Sequence, residues 1–391
     1  MDNEKRLDLS RVPKELTLLL ALMKMNNGED LLSNNEIFMD IDWDKFFLLV
    51  MHHRVHPFIY SKLKQMNGIP LHVVQSLCQE YKKNAFQMLH LSGEMEQICK
   101  LFIAHGIRPL LLKGPVLAVD LYGDVSLRAS RDLDILIPID DLDKVEELLV
   151  KSGYEKEGFT QTILNEWKWR QYHITYFHPQ KRITIEIHWR LSHGPGKEPS
   201  FNELWGRKRI SSLTSSPVYY LGREDLFLYL VSHGARHGWF RLRWLADIDQ
   251  LVRQSINMKK LDLLMRKYHG MYIGGQALIL ASQLLNTPLC RKMQLLTGGS
   301  RSWRFAQDAI VYIKETKDLH TNPSQELYKH YKRYLFSIKS NQQRILFILS
   351  FLYPYQEDAD TLMLPKHLHF LYFPLRPILW IWRKTKRQSF S

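Results

Sequence analysis

The stretch "LRASRDLDILIP", residues 127–138, indicates the fold class because it places two aspartates at the start of an otherwise apolar run. The run has the composition of a buried β-strand. Residues two apart on a strand point to the same side, so Asp132 and Asp134 present adjacent carboxylates while Leu133 and Ile135 enter the core. An isolated pair of this kind is also common in solvated turns that begin a strand. Two carboxylates this close repel each other unless a cation lies between them, which predicts a cation site.

Magnesium suits such a site, since it prefers carboxylate oxygens and leaves room for water and phosphate oxygens. A centre with two metal ions needs a third carboxylate from a neighbouring element. The segment "KRITIEIHWRL", residues 181–191, alternates as a strand and places Glu186 and His188 on its polar face. We therefore expect Asp132, Asp134 and Glu186 to bind two Mg²⁺ ions, which Mn²⁺ could replace.

The segment before the aspartates has the pattern of a phosphate-binding turn. "LLLKGPVLAVDLYGD", residues 110–124, reads as a strand, a turn at Gly114 and a helix that a proline opens. Backbone N–H groups at a helix start can receive phosphate. Lys113 adds a positive charge beside the turn, and Arg128 and Arg131 add further cations near the expected metal site.

The chain divides into three predicted regions. Residues 1–105 have helical periodicity, residues 106–215 hold a small core of strands and helices, and residues 216–391 return to helical periodicity and end in a basic tail. The expected fold class is α+β, with a helical N-terminal segment, a mixed-sheet core and a helical C-terminal domain.

Composition is that of a folded globular protein, with 45% hydrophobic and 24% charged residues in 391. Cys78, Cys99 and Cys290 are widely spaced, which favours reduced thiols and a cytoplasmic location over a disulfide framework. The N-terminal apolar run at 17–24 is too short to cross a bilayer and lacks the pattern of a leader. Motifs of serine hydrolases and of the Walker A loop are absent from the sequence.

The formal net charge of +14 indicates an anionic partner, which could be a nucleotide, a nucleic acid or a membrane surface. Much of the excess lies after residue 300 and ends in "LRPILWIWRKTKRQSF", residues 375–390. This tail could associate weakly with an anionic membrane, although the same pattern, favoured here, serves a terminal helix that docks on its own protein.

The helical segment "HGARHGWFRLRWLADIDQL", residues 233–251, has two readings. The ring of Trp239 could stack on a base, and the guanidinium of Arg241 or Arg243 could meet phosphate. Equally, Trp244, Leu245, Ile248 and Leu251 could form a core stripe, with the arginines paired to Asp247 and Asp249. His233 and His237 have a spacing that can hold zinc, but a third ligand is not evident. The candidate substrate contacts are His188, His237, Trp239, Arg241, Arg243 and Asp247.

Together these segments resemble a known family. "LLLKGPVLAVDLYGDVSLRASRDLDILIP", residues 110–138, is similar to the motif of the uncharacterised nucleotidyltransferase family within the DNA polymerase beta-like superfamily, with its Lys-Gly, Leu-Tyr-Gly-Asp and Arg-x-Ser-x-Asp-x-Asp. "IEIHWRL" at 185–191, the His-Gly-Trp segment at 233–251 and "LPKHLHFLYFPLRPI" at 364–378 also resemble the family. The resemblance runs from about residue 40 to 380.

The resemblance implies a polymerase beta-like core and a set of site residues. Asp132 and Asp134 match the paired metal ligands of the superfamily, and Glu186 matches its third carboxylate. The implied nucleotide-binding residues are Lys113, Gly114, Arg128, Ser130 and Arg131. Lys-Gly-Pro stands here in place of the Gly-Ser turn of the wider superfamily, so a serine hydroxyl that often touches phosphate is missing.

The implied reaction moves a nucleoside monophosphate from a nucleoside triphosphate such as ATP to an oxygen acceptor and releases pyrophosphate. The acceptor could be a small molecule, a peptide or a protein, which we favour over nucleic acid. Two alternatives are a catalytically silent nucleotide- or RNA-binding protein on the same fold, and nucleotide addition to an RNA end. The presence of all three carboxylates favours an enzyme.

Overall fold

The computed structural model describes residues 5–25, 38–64, 66, 68–158, 162, 164–315 and 323–388. These residues form a seven-stranded mixed sheet with helical parts before and after it. The predicted α+β class with helical N- and C-terminal parts is therefore confirmed.

Four helices precede the sheet: α1 (Lys14–Lys24), α2 (Trp43–His52), α3 (His56–Leu63) and α4 (Leu71–Ala104). Local sequence explains their limits. The Asp42 side chain caps α2 by accepting a hydrogen bond from the Lys45 N–H at 3.0 Å. Pro70 immediately precedes α4 and cannot continue a helix from α3.

The strands are β1 (Leu110–Leu111), β2 (Asp132–Leu136), β3 (Glu155–Glu157), β4 (His173–His178), β5 (Ile183–His188), β6 (Arg209–Ile210) and β7 (Tyr219–Tyr220). Their order across the sheet is β3-β4-β5-β2-β1-β7-β6. The β2–β5 and β1–β7 pairs are parallel and the other neighbours are antiparallel. The alternating strand predicted at 181–191 forms β5 and pairs with β4 as an antiparallel hairpin.

Within this region lie α5 (Pro115–Tyr122), α6 (Leu142–Lys151), α7 (Trp167–Arg170) and α8 (Phe201–Gly206). The helix expected after Gly114 begins at Pro115 and ends before Gly123, which has left-handed backbone angles. The sheet continues past the predicted boundary at residue 215 to β7, because a two-residue strand leaves no periodic signal in the sequence.

The C-terminal helices begin with α9 (Arg223–Arg236), α10 (Leu242–Arg253), α11 (Met258–Lys267), α12 (Met271–Leu285) and α13 (Arg291–Thr297). They continue with α14 (Ser300–Lys314), α15 (Gln325–Ser337), α16 (Asn341–Ser350), α17 (Gln356–Thr361) and α18 (Tyr372–Gln388). None of the helices in the described part of the chain combines the length and the apolar character needed to cross a membrane.

One face of the sheet supplies the core. Leu133, Ile135, Ile185 and Ile187 are fully buried, in agreement with the alternation read from the sequence. Burying each such side chain stabilises the fold by about 1.5–3 kcal/mol. The opposite face of β2 and β5 is therefore left for the polar side chains.

One face of the basic tail packs on the protein, and another face of it is exposed. In α18, Tyr372 and Leu379 are buried and Arg376 forms an ion pair with Asp358 of α17 at 2.7 Å. Trp382 on the same helix is 46% exposed. The helix thus packs by one face on its own protein and presents a second apolar face outward.

Candidate functional site

The parallel pairing of β2 with β5 places the predicted carboxylates on one face of the sheet. Asp134 is the direct Cα partner of Glu186. Asp132 lies two residues earlier, opposite Thr184, so its side chain points to the same face. Neighbouring strands lie about 4.8 Å apart, so all three carboxylates share one small area of the sheet surface.

A buried lysine reaches these carboxylates from the turn after β1. Gly114 has a φ of 88°, a conformation that residues with a Cβ rarely adopt. The Leu112 N–H donates to the Asp134 carbonyl at 2.9 Å and fixes this turn against β2. Lys113 Nζ then lies 2.9 Å from Asp134 Oδ1. The lysine predicted beside the phosphate site is thus an ion-pair partner of an expected metal ligand.

Two histidines join the carboxylates. His188 Nε2 lies 3.2 Å from Glu186 Oε2 and 3.3 Å from Asp134 Oδ1. His173 is the Cα partner of His188 on β4. The ligand atoms of His173, Glu186 and His188 all lie within 4.8 Å of one another. Imidazole nitrogens and a carboxylate at this spacing could hold a metal ion.

Burial and close contacts separate the acidities of the three carboxylates. Burial raises the pKa of Asp132, and the Asp134 charge raises it further. Burial also acts to raise the pKa of Asp134, but Lys113 and His188 outweigh it and hold that pKa well below its usual range. Burial opposes ionisation of Glu186 as well, yet the hydrogen bond with His188 leaves its pKa lowered. The ionised form is therefore favoured more at Asp134 and Glu186 than at Asp132.

These residues lie in a cavity of about 220 Å³, here called the carboxylate cavity. Its lining includes the three carboxylates and both His188 and His237. The cationic side chains that face it are Arg54, Lys113, Arg236, Arg241 and Arg243. Burial and, next to it, the nearby charge of Arg243 together lower the pKa of Arg54 to about 9. A cavity that combines carboxylates with crowded arginines suits a ligand made of phosphate and metal ions.

Sequence reasoning missed Arg54, Arg236 and His173 as parts of this site. Arg54 lies in "MHHRVHPF", residues 51–58, within the N-terminal region that has only helical periodicity. His173 had a usable signal, because it begins the segment directly before β5 and pairs with that strand in the hairpin. Arg236 lies on α9 and lines the cavity together with Tyr229 and His233 of the same helix, a neighbourhood that the sequence pattern does not indicate.

Arg128 does not line the carboxylate cavity. Its guanidinium donates two hydrogen bonds to Asp247, at 2.8 and 2.9 Å, and both side chains are buried. Tyr122 also donates to Asp247 at 3.0 Å. Arg128, the expected phosphate contact, is thus paired with Asp247, the expected substrate contact. This ion pair connects the sheet region to α10.

Trp239 is also placed away from the carboxylate cavity. Its side chain is fully buried, and its ring packs where a side chain on Gly234 would otherwise lie. The ring therefore does not line this cavity, and the expectation that it stacks on a base stays a prediction. The aromatic side chains that do line the cavity are Tyr172, Tyr229, Phe240 and Trp244.

The remaining predicted residues lie at the edge of the site. The Ser130 hydroxyl donates to the Asp132 backbone carbonyl at 3.3 Å and lies 3.4 Å from its carboxylate. Arg131 is exposed beside it. Arg243 donates to the Ala129 carbonyl, which holds this buried arginine against the segment that leads into β2.

The mixed sheet, with carboxylates on adjacent parallel strands and helical parts on either side, is consistent with a nucleotidyltransferase fold. A family model described as uncharacterised nucleotidyltransferase matches residues 39–286, which is more than half of the chain. The chain belongs to this family, as the sequence motifs predicted. Searches of curated proteins and of solved structures returned no match.

Proposed function

We propose that this protein transfers a nucleoside monophosphate from a nucleoside triphosphate to a hydroxyl or other oxygen acceptor. The observation that carries the proposal is the pairing of Asp134 with Glu186 on parallel strands, beside the buried Lys113 and within the arginine-lined cavity. Cytoplasmic ATP is a suitable donor, and the free thiols of Cys78, Cys99 and Cys290 agree with a reducing compartment.

The residues present fit a divalent cation. Asp134 Oδ2 is buried and accepts no hydrogen bond from the described residues, so it is available as a ligand. Asp132, Asp134 and Glu186 would hold Mg²⁺, with Mn²⁺ as a substitute and the nitrogen of His188 nearby. When bound, the metal supplies positive charge that stabilises the phosphate oxygens and lowers the pKa of the acceptor hydroxyl.

The chain's own groups then account for the transfer. The acceptor oxygen forms a bond to the α-phosphorus, the bond from that phosphorus to the β-phosphate oxygen breaks, and pyrophosphate leaves. Glu186 accepts the hydroxyl proton. Arg54, Arg241 and Arg243 face the cavity and would neutralise the triphosphate.

The test incubates the purified protein with Mg²⁺, each α-labelled triphosphate and a cell extract. Glu186→Gln keeps the shape of the side chain and removes its charge, so we expect at least about a hundredfold less labelled product. Glu155→Gln on exposed β3 is the matched control and should retain activity. Equal labelling by wild type and Glu186→Gln would falsify the assignment. Triphosphate binding without any labelled product would favour the silent binding protein.

A weak association with anionic membranes is proposed for the tail as a second property. The exposed ring of Trp382 lies next to Arg383 and Lys384 on α18, and Ile381 on the same helix is 56% exposed. Apolar and basic residues side by side are typical of helices that lie in a membrane interface.

A further inference from the structure

A second, larger cavity opens beside the carboxylate cavity and is here called the apolar cavity. Its volume is about 640 Å³, within the roughly 300–1,000 Å³ of small-molecule sites. Tyr229, His233 and Arg236 line both cavities. These three residues lie on α9 at spacings of four and three, so one helix face forms the shared wall. A ligand in the apolar cavity would therefore lie next to the carboxylates.

The wall of the apolar cavity is mostly hydrocarbon. Leu191 follows β5, Leu228 is on α9, Leu335 is on α15 and Phe347 is on α16. Leu191 and Leu228 are largely buried, so they lie away from the opening. An apolar ligand body would gain free energy by leaving water at these side chains.

The cations in this wall include Arg236 and Lys339, which lack an acidic partner among the described residues. The guanidinium of Arg236 lies 4.6 Å from the Tyr172 ring centroid, and Lys339 Nζ lies 5.2 Å from the Phe347 ring centroid. Among the described residues, neither cation has a carboxylate oxygen within 4.0 Å. Burial lowers the pKa of Lys339 and the Arg236 charge lowers it further, as expected for cations without a counter-ion.

The acidic side chain in the same wall is already engaged. Glu198 accepts from Arg190 Nε at 3.2 Å and from the backbone N–H groups of Leu191 and Ser192 at 3.2 and 3.1 Å. Its negative charge is therefore balanced by groups of the loop after β5. The wall keeps a positive surplus that an anionic group on the ligand would balance.

We propose that the apolar cavity binds the acceptor, and that the acceptor is a small amphipathic molecule with an apolar body, an anionic group and a hydroxyl. This assignment rests on the proposed nucleotidyl transfer. The body packs against Leu228 and Phe347, and the anionic group pairs with Lys339 and Arg236. The hydroxyl is directed past Tyr229 towards Glu186, where it can attack the α-phosphorus.

The binding part of the proposal can be tested without catalysis by two dyes. 8-Anilinonaphthalene-1-sulfonate is an aromatic anion, and N-phenyl-1-naphthylamine has the same ring system without the sulfonate. Fluorescence titration gives the Kd of each dye. Lys339→Met removes the charge of the side chain and keeps its length. It should raise the Kd of the anionic dye about tenfold and change the Kd of the neutral dye by less than about twofold. Lys329→Met, an exposed lysine of α15 outside the cavity, is the matched control.

A blocking variant locates the bound dyes. Ser232 lines the apolar cavity from α9, and Ser232→Phe should weaken both dyes by filling space, with circular dichroism confirming the fold. Unchanged binding in Ser232→Phe would place the dyes elsewhere and overturn the proposal. An equal response of the anionic dye to Lys339→Met and Lys329→Met would overturn the anionic character of the ligand.

The acceptor role has its own measurement. The anionic dye should reduce labelled product from cell extract while leaving the Kd of a fluorescent ATP analogue unchanged. A dye that fills the cavity and leaves transfer unaffected would overturn the acceptor assignment. If wild-type protein makes no labelled product at all, the proposed transfer fails, while the dye results still report on the cavity.

Discussion

Lys113 Nζ lies 2.9 Å from Asp134 Oδ1, and both side chains are buried. The lysine thus balances a carboxylate that nothing else in the described chain neutralises except His188. A buried charge whose partner is removed destabilises a protein strongly, whereas an added cation can take the partner's place. Substitution of Lys113 therefore tests whether a metal cation binds at Asp134.

We expect Lys113→Met to lower the free energy of unfolding by about 3–5 kcal/mol, because Asp134 is left buried and unpaired. Mg²⁺ should recover more stability in this variant than in wild type, as measured by urea denaturation with and without the metal. Lys151→Met is the control, since its ion pair with Glu147 is exposed and should contribute far less stability. Equal losses in both variants would contradict the expected role of Lys113.

The second prediction concerns Arg128 and Asp247. Arg128→Met and Asp247→Leu should each destabilise by about 3–5 kcal/mol, while the double variant should lose much less than the sum because no unpaired charge remains. Chemical denaturation of the four proteins measures the coupling. Arg266→Met breaks an exposed pair with Asp262 of the same helix and should destabilise far less. Additive losses at Arg128 and Asp247 would mean that the two side chains stabilise the fold independently.

The third prediction concerns which metal binds. His173 and His188 place imidazole nitrogens beside Glu186, and nitrogen ligands favour Mn²⁺ over Mg²⁺. We expect Mn²⁺ to bind about tenfold more tightly than Mg²⁺ by isothermal titration calorimetry at fixed pH. His173→Phe should reduce this preference, and His90→Phe, on the exposed surface of α4, should not. The same preference in all three proteins would exclude His173 as a ligand.

The fourth prediction concerns the tail. Wild-type protein should sediment with vesicles that contain phosphatidylserine at low salt, and less at high salt, because screening weakens the attraction of the basic residues. The Ile381→Ala, Trp382→Ala double variant should bind about fivefold less, since it removes exposed apolar surface. Ile210→Ala, another exposed apolar position, should bind like wild type. If vesicle binding is the same at low and high salt and the same in the double variant, this helix is not the membrane contact.

The sequence predicted the features that local periodicity encodes. Alternation in residues 181–191 identified β5 and its polar face, so Glu186 could be named from the residue pattern alone. The glycine turn was also readable, because Gly114 needs a positive φ and the following proline opens α5.

Features that depend on distant packing were not readable. An arginine can pair with a phosphate or with a carboxylate, and the sequence around Arg128 does not distinguish the two. In the fold it pairs with Asp247. Trp239 looked available for stacking because two arginines follow it closely, yet Gly234 leaves the space that buries its ring. Arg54 and Arg236 reach the carboxylate cavity from segments that lie before and after the sheet in the sequence.

The pairing of Asp134 with Glu186 also determines how the chain tolerates changes in length. β2 and β5 are parallel and are not joined by a hairpin; the segment between them contains α6, β3 and β4. Residues can therefore be added in the loops of this segment without moving either carboxylate. A single residue inserted between Leu133 and Asp134 would instead turn one aspartate into the hydrophobic core, because side chains alternate along a strand. Related chains can therefore differ widely in length after β2 while the spacing of the two aspartates stays fixed.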